Sequence, residues 1–160
     1  PEYMLAGLGA SEYFRHIGIP SWVGAGCSDS HQFDAQAAAE VGANLMVSAL
    51  AKTPFVHNLG FLSGGRTGSL EMLTLCDEMI GWISKMANGM SVNSDTLALP
   101  VIQRAVPNNS FLTDSHTQGR FLTENWYPNL SERSDAEAWQ EAGALDMQAR
   151  VKQKLRDILD

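Results

Sequence analysis

The sequence has only two cysteines, Cys27 and Cys76, which are far apart and form no C-x-x-C pair. Two isolated cysteines do not make a disulfide framework, so we expect free thiols in a reducing, cytoplasmic compartment. The H-x-x-E and H-E-x-x-H spacings of common zinc sites are absent too. We therefore predict no bound metal.

Basic side chains are also scarce, because 11 Lys and Arg stand against 18 Asp and Glu and leave a net charge of −7. A nucleic-acid binder usually has a basic face, so we expect no nucleic-acid partner. No run reaches the ~20 apolar residues of a membrane span, and no basic-then-apolar leader opens the chain. We expect no membrane association. The missing initiator Met and the helical pattern at the start indicate a chain cut from a longer protein.

What the sequence does have is an apolar fraction of 44%, which is typical of a globular fold. Its pattern predicts a strand at 21–26, a helix at 34–51, a strand at 55–61, a loop at 63–68 and a helix at 70–88. The predicted helix caps are Ser69, then Ser94 or Asp95 for a short helix to about Val106, and Ser134 and Asp146 for the last two helices. Strand, helix and strand in this order predict an α/β fold with about two parallel strands joined by a crossover helix. Two strands leave both sheet edges open, which again indicates a fragment or an assembly.

The first candidate site follows the first predicted strand, where glycines let the chain turn sharply. Asp29 lies between two serines at this strand end, and we predict a functional role for it. Asp34 is explained equally well as a helix cap. Cys27 lies at the expected mouth of the site, although free cysteines are more often small buried hydrophobes.

The second candidate site is the next strand, with His57, Asn58 and Phe61, which continues into Gly64-Gly65. Alternation along a strand predicts that His57 and Asn58 point to opposite faces. A lone histidine in a strand is more often a hydrogen-bonded core residue, but the glycine-rich continuation favours a site. The pattern is not a phosphate loop, since no G-x-x-x-x-G-K-[ST] is present.

Two further clusters have simpler explanations. Glu71 and Glu78 share a helix face, and we interpret them as cap or exposed-face carboxylates. His116 and Trp126 follow later, and aromatic rings of this kind could line a site for a methylated ammonium ion. Taken singly, residues such as Phe121 and Trp126 are explained as ordinary core.

Several blocks, in their serial order, resemble the trimethylamine methyltransferase family, and the similarity extends over nearly the whole chain. The residues that carry this resemblance are Pro20, Gly24–Ser30, Asp34-Ala35-Gln36, Glu40, Ala43-Asn44, His57–Leu62, Gly64, Ser69-Leu70-Glu71, Asp77-Glu78, Leu97-Ala98, Val101-Ile102, Phe111-Leu112, His116-Thr117, Trp126-Tyr127-Pro128, Arg133 and Trp139.

The resemblance implies an eight-stranded β/α (TIM-type) barrel, of which this chain supplies the C-terminal part. On that basis we expect one partial domain over 1–160, with the last β/α units in 1–106 and a C-terminal helical cap in 107–160. Family members move a methyl group from a methylated or quaternary amine, such as trimethylamine or glycine betaine, to the Co(I) of a corrinoid (cobalamin). A partner protein carries that corrinoid, so no cofactor bound by the chain itself is expected.

The resemblance also implies site roles. Archaeal trimethylamine enzymes carry pyrrolysine at a position that falls at the Gly26-Cys27 turn, and Cys27 here points to the non-pyrrolysine branch and to quaternary amines. Asp29 and His57 are the predicted catalytic residues, with Asp29 holding the cation and His57 or Asn58 orienting it or contacting a substrate carboxylate. The predicted substrate-binding residues are Cys27, Asn58, Phe61, His116 and Trp126.

Two alternatives remain open. One is an inactive barrel fragment that acts as a structural module and forms homo-oligomers through its open sheet edges. The other is an unrelated β/α-barrel enzyme such as an aldolase, which would need a lysine at a strand end for Schiff-base chemistry. Lys52 and Lys85 both fall in predicted helices, which disfavours this second alternative.

Overall fold

A computed structural model describes residues 2–108 and 110–160 of the chain. It divides into two compact units, Pro1–Ala87 with Pro128–Asp160 and Asn88–Tyr127. None of the helices in the described residues is long and apolar enough to cross a membrane.

The first unit opens with the α/β arrangement that the sequence predicts. Its elements are α1 (Glu2–His16), β1 (Trp22–Gly24), α2 (Ala35–Leu50) and β2 (Phe55–His57). β1 and β2 pair in parallel, with Trp22 opposite Phe55 and Gly24 opposite His57. The prediction of two parallel strands joined by a helix is therefore confirmed.

The second predicted strand is shorter than expected, because the chain turns sharply after His57. Asn58 has a φ of +61° and Gly60 a φ of +78°, and neither value fits an extended strand. The chain resumes as β3 (Phe61–Leu62), which pairs antiparallel with β4 (Thr67–Gly68). The stretch predicted as a plain loop is thus a small hairpin, with Gly64 and Gly65 at its tip.

α3 (Leu70–Ala87) follows, and Ser69 caps it as expected by accepting a hydrogen bond of 3.1 Å from the backbone N–H of Met72. The second unit contains α4 (Ser94–Leu97), α5 (Leu99–Ala105), a 3₁₀ turn (Val106–Asn108) and α6 (Ser115–Glu124). The prediction of one helix capped by Ser94 or Asp95 is wrong here. Asn93 forms a capping box with Thr96, and Ala98, at a φ of +51°, separates the two helices.

The chain ends in α7 (Ala136–Glu141) and α8 (Met147–Leu159). Asp146 caps α8 as predicted, whereas α7 is capped by Asp135 and not by Ser134. α8 packs against α3, which also packs against α2. The core of this first unit is built from Ala25, Ala37, Val41, Leu45, Leu62, Met72, Leu75, Cys76, Ile83, Leu130 and Val151.

Candidate functional site at the strand ends

The carboxyl ends of β1 and β2 lie side by side, and backbone hydrogen bonds join the two segments that follow these strands. The backbone N–H of Ala25 donates to the carbonyl of His57 at 3.2 Å, and that of Ser28 donates to the carbonyl of Phe61 at 3.0 Å. A side chain at Gly26 would collide with the backbone of Leu59. The glycine is therefore required for this close approach, and it brings the two candidate segments of the sequence together.

The turn after β1 presents Asp29 to solvent. Ser28 and Ser30 on either side of it are buried, whereas Asp29 is exposed. Among the residues that the structure describes, its carboxylate has no hydrogen bond or ion pair, since only its backbone N–H is engaged, by Glu40 at 2.9 Å. The carboxylate is thus held in place by its backbone and left free to contact a ligand.

The hairpin tip forms one wall beside Asp29. A Cβ built on Gly64, whose φ is +63°, would lie 3.5 Å from the Asp29 Oδ1 atom. A Cβ on Gly65 would lie 3.9 Å from the Asn58 Nδ2 atom. Glycines at this tip therefore place no side chain against this acid and this amide.

Three polar groups surround Gly24 at the end of β1. A Cβ there would lie 2.5 Å from the Tyr3 hydroxyl, 3.4 Å from Asn58 Nδ2 and 3.5 Å from the His57 ring. The His57 ring also packs edge-to-face on Trp22, with 5.0 Å between ring centroids and 74° between planes. Sequence reasoning missed both Tyr3 and Trp22, because each lies in an element that reads as ordinary helix or core strand.

Cys27 is half-buried and lies beside these groups. Burial raises the pKa of its thiol above the ordinary value, and the negative charges of Asp29 and Glu40 raise that pKa further, against a smaller opposing hydrogen bond with Asn58. The thiol is therefore protonated at neutral pH and is a weak nucleophile. This environment suits a neutral wall of a binding site better than a reacting sulfur.

Five of the seven predicted site residues are therefore in this region of the first unit. They are Cys27, Asp29, His57, Asn58 and Phe61, of which Phe61 contributes through its backbone pairing with Cys27 and a partly exposed ring. Asn58 does not alternate with His57 as predicted, because its positive φ places it in a turn beyond β2. Asn tolerates this conformation better than most residues, but such a conformation is uncommon and often marks a functional site.

Other acidic side chains have structural roles. Asp34 caps α2, accepting from the backbone N–H of Ala37 at 2.9 Å, and this bond holds the pKa of its carboxyl below the usual value. The interpretation of Glu78 as an exposed-face carboxylate is wrong, since only 5% of its surface is exposed. It accepts hydrogen bonds from Asn129 N, Ser131 N and Ser131 Oγ at 3.0, 2.8 and 2.8 Å. In the described residues no group of three or more His, Cys, Asp or Glu side chains could hold a metal ion.

His116 and Trp126 belong to the second unit. His116 lies in the first turn of α6, where its backbone N–H donates to Asp114 at 2.9 Å and its Nε2 lies 3.0 Å from the carbonyl of Asp95. Trp126 follows the end of α6. Their roles in substrate binding remain predictions.

Taken together, the first unit is an α/β structure in which polar side chains collect at the carboxyl ends of parallel strands, the usual position of active sites in this class. The family model of trimethylamine methyltransferase matches residues 1–160, so the chain belongs to the trimethylamine methyltransferase family. The membership that the ordered sequence blocks predicted is confirmed.

Individual relatives agree with this assignment. The chain is 31% identical over 160 residues to a trimethylamine methyltransferase of Desulfitobacterium hafniense strain DCB-2, covering 100% of this chain and 32% of that relative. It is 32% identical to a glycine betaine methyltransferase of D. hafniense strain Y51 and 31% identical to a trimethylamine methyltransferase of Methanosarcina mazei. These matches cover 99% of this chain and 33% and 32% of the two relatives. The chain therefore spans about a third of the length of the relatives it matches.

Proposed function

We propose that the full-length protein to which this chain belongs transfers a methyl group from a methylated amine to the Co(I) of a corrinoid held by a partner protein. The observation that carries this proposal is the exposed Asp29 carboxylate at the strand ends, which has no hydrogen bond or ion pair within the described residues. A methylated ammonium ion is a cation with few or no N–H donors. A fixed carboxylate with open space beside it suits such an ion through charge and shape.

Methyl transfer from a quaternary ammonium ion requires no proton transfer by the protein. In a quaternary ammonium ion the nitrogen already carries the positive charge that makes it a leaving group. The reduced cobalt supplies the electron pair for the new bond, and the nitrogen leaves as a neutral amine that keeps the electron pair of the broken N–C bond. The residues of this chain would bind and orient the cation, with Asp29 opposite its charge and His57 and Asn58 beside it.

Within the family, we propose a quaternary amine such as glycine betaine as substrate. We propose that Cys27 occupies the position at which archaeal trimethylamine enzymes carry pyrrolysine, and its protonated thiol provides no comparable electrophile. A zwitterion such as glycine betaine also carries a carboxylate, for which the Tyr3 hydroxyl and the Asn58 amide near Gly24 are suitable donors. Trimethylamine remains the alternative methyl donor, because relatives with that name are equally similar.

We further propose that β1, α2 and β2 are part of a β/α barrel completed by the rest of the longer protein. A parallel strand pair with a crossover helix is the repeating unit of that fold. The same open sheet supports the second candidate, a structural module that forms homo-oligomers, since 70% of Trp22 and 61% of Phe55 are exposed. Size-exclusion chromatography separates the two, because the module must self-associate through this sheet and a barrel need not.

The function is tested with the full-length protein and free cob(I)alamin, measuring methyl transfer from glycine betaine and from trimethylamine. We expect transfer from glycine betaine and a loss of about 100-fold in Asp29→Ala, because the charge opposite the cation is gone. As a competitor, 3,3-dimethylbutyrate has the shape of glycine betaine without its positive charge, and it should inhibit Asp29→Ala better than the wild type. No transfer from either amine would refute the proposal, and an unchanged rate in Asp29→Ala would remove Asp29 from it.

A further inference from the structure

Glu40 has contacts that neither the family resemblance nor the proposed mechanism explains. It lies on α2, outside the two strand-end segments, and is half-buried. One carboxylate oxygen, Oε2, accepts from the Ser28 hydroxyl at 2.6 Å and from the Asp29 backbone N–H at 2.9 Å. The other, Oε1, accepts from Gln36 Nε2 at 2.8 Å. Apart from this bond within its own helix, the hydrogen bonds of Glu40 all come from the turn that contains Asp29.

Ser28 extends this contact through the turn. While its hydroxyl donates to Glu40, the same oxygen accepts from the backbone N–H of Ser30 at 2.9 Å. The carbonyl of Ser28 accepts from the N–H of Gly64 at 2.9 Å, and that of Ser30 accepts from the N–H of Ser63 at 2.8 Å. The turn is therefore held on one side by α2, through Glu40, and on the other by the hairpin tip.

These bonds fix the backbone on both sides of Asp29 and do not involve its side chain. We infer that Glu40 is a positioning residue, which holds the Ser28–Ser30 turn so that the Asp29 carboxylate stays in place at the strand ends. The role of that carboxylate in binding an amine rests on the proposed function, whereas the positioning itself does not. Outer residues that orient a contacting side chain commonly matter nearly as much as the contacting side chain itself.

The charge of Glu40 supports the same inference. The hydrogen bond from Ser28 is the main reason that the pKa of Glu40 lies below its ordinary value, so the residue is ionised at neutral pH. After burial, the charge of Asp29 and, to a smaller extent, that of Glu40 raise the pKa of the Cys27 thiol, so Glu40 lies near enough to act on this region by its charge. A second negative charge nearby favours a cationic ligand over a neutral one.

A purely structural tether between α2 and the turn would share some of these contacts. The two roles differ in what a conservative change does. In Glu40→Gln the amide oxygen can still accept from Ser28 and Asp29, so the turn stays in place although the charge is lost. In Glu40→Ala the oxygen that accepts from Ser28 and Asp29 is lost, and the turn keeps only the bond of 3.0 Å from the Ser30 hydroxyl to Asp34 at the start of α2.

We therefore compare the wild type, Glu40→Ala and Glu40→Gln in the full-length protein, with Glu12→Ala as control. Glu12 is an exposed carboxylate on α1, so its removal reproduces the change in net charge. Three measurements are made: hydrogen exchange of the peptide covering residues 27–30, alkylation of Cys27 by iodoacetamide, and methyl transfer with kcat and KM separated. Cys76 is buried, so within this chain alkylation reports mainly on Cys27.

We expect faster exchange at 27–30 in Glu40→Ala only, with exchange in α8 unchanged. Cys27 should react roughly threefold faster in both Glu40 variants, because loss of the nearby charge lowers the pKa of the thiol. Methyl transfer should fall about 100-fold in Glu40→Ala, mainly in kcat, since a displaced group fails to orient the substrate. Glu40→Gln should recover most of kcat, with a higher KM for the cation.

The possible failures are distinguishable. If Glu40→Ala exchanges and reacts like the wild type, the positioning inference is overturned whatever the enzyme does. If the turn loosens but methyl transfer continues at the wild-type rate, Glu40 is a structural tether and its role in the reaction is overturned. If the wild type transfers no methyl group, the proposed function fails, and hydrogen exchange at 27–30 alone then decides whether Glu40 positions the turn that carries Asp29.

Discussion

The strand-end site and the contact between α3 and the C-terminal segment both depend on a carboxylate, but the two carboxylates are used in opposite ways. Glu78 is buried and accepts three hydrogen bonds from Asn129 and Ser131, so both of its carboxylate oxygens are engaged within the chain. Asp29 is exposed, and within the described residues its carboxylate has no partner, although its backbone is held by Glu40. Asp29 is thus free to bind a ligand, and Glu78 is committed to the fold.

The difference lies in which part of each residue is fixed. A buried carboxylate must be fully hydrogen-bonded, or its desolvation destabilises the protein, so Glu78 contributes to stability. At the strand ends the bonds fix the backbone around Asp29 instead, and Gly64 places no side chain against its carboxylate. Removing a side chain should therefore affect stability in the first region and ligand chemistry in the second.

The strongest test of the strand-end architecture is Gly26→Ala. The added methyl group would collide with the backbone of Leu59, and we expect the free energy of unfolding to fall by about 3 kcal/mol or more. Gly9→Ala in α1 is the matched control, because a Cβ there meets nothing within 4 Å and alanine favours a helix. Urea denaturation of both variants is the measurement. A Gly26→Ala protein as stable as the wild type would show that the two strand ends do not meet closely.

The next largest effect is expected from Glu78→Ala. It leaves the N–H groups of Asn129 and Ser131 without their acceptor, and we expect a loss of about 2–3 kcal/mol in the free energy of unfolding. Asp77→Ala, an exposed neighbour on α3, should change stability by less than about 0.5 kcal/mol. Equal unfolding midpoints for the two variants would contradict the structural role of Glu78.

The pH dependence of Glu78 gives a subtler effect. Burial alone would raise the pKa of Glu78, but hydrogen bonds from Ser131, Asn129 and Leu130 outweigh it, so the pKa lies below the ordinary value of 4.5. A lowered pKa in the folded state means that the stabilisation is fully present above pH 4.5 and is lost as pH falls through the folded value. The stability difference between wild type and Glu78→Gln, measured by urea denaturation across this range, should therefore shrink on acidification. A stability difference that increases on acidification would contradict the lowered pKa of Glu78.

The smallest effect extends the comparison to the second unit, where both carboxylate oxygens of Asp114 are also hydrogen-bonded within the chain. Two hydrogen bonds from Arg104, at 2.6 and 2.8 Å, are the main reason that the pKa of Asp114 is lowered to about 2. In Arg104→Ala this pKa should rise toward the ordinary 3.8, although the bond from the His116 backbone remains. The pKa of Asp114 is measured from the chemical shift of its carboxyl carbon in an NMR titration. An unchanged midpoint would mean that Arg104 does not pair with Asp114 in solution.

Much of the first unit was predictable from the sequence because local signals there agree with the tertiary structure. Gly-rich turns bound the parallel strands, and Ser69 and Asp146 cap their helices as expected. The hairpin after β2 was not predictable from alternation, because its formation depends on left-handed backbone at Asn58 and Gly60. The cap at Asn93 was missed since Ser94 and Asp95 are equally good capping residues in isolation.

The site itself was predictable only in part. Cys27 and Asp29 were proposed from their position after the first predicted strand, and His57 and Asn58 from their position within the second. Glu40 and Glu78 could not be separated by sequence, because each is a glutamate within a helix that is otherwise largely apolar. Their roles depend on which loop packs against each helix, and that is fixed by contacts 11 to 53 residues away in the chain.

The central claim, that Asp29 serves the ligand and Glu78 serves the fold, is tested most directly by Asp29→Asn and Glu78→Gln in the full-length protein. Each variant is measured for methyl transfer from glycine betaine to cob(I)alamin and for its unfolding midpoint in urea, with transfer assayed where both remain folded. We expect Asp29→Asn to lose about 100-fold in transfer at an unchanged midpoint, and Glu78→Gln to lose stability at a nearly unchanged rate. Wild-type transfer by Asp29→Asn, or a lower midpoint for it than for Glu78→Gln, would contradict the claim.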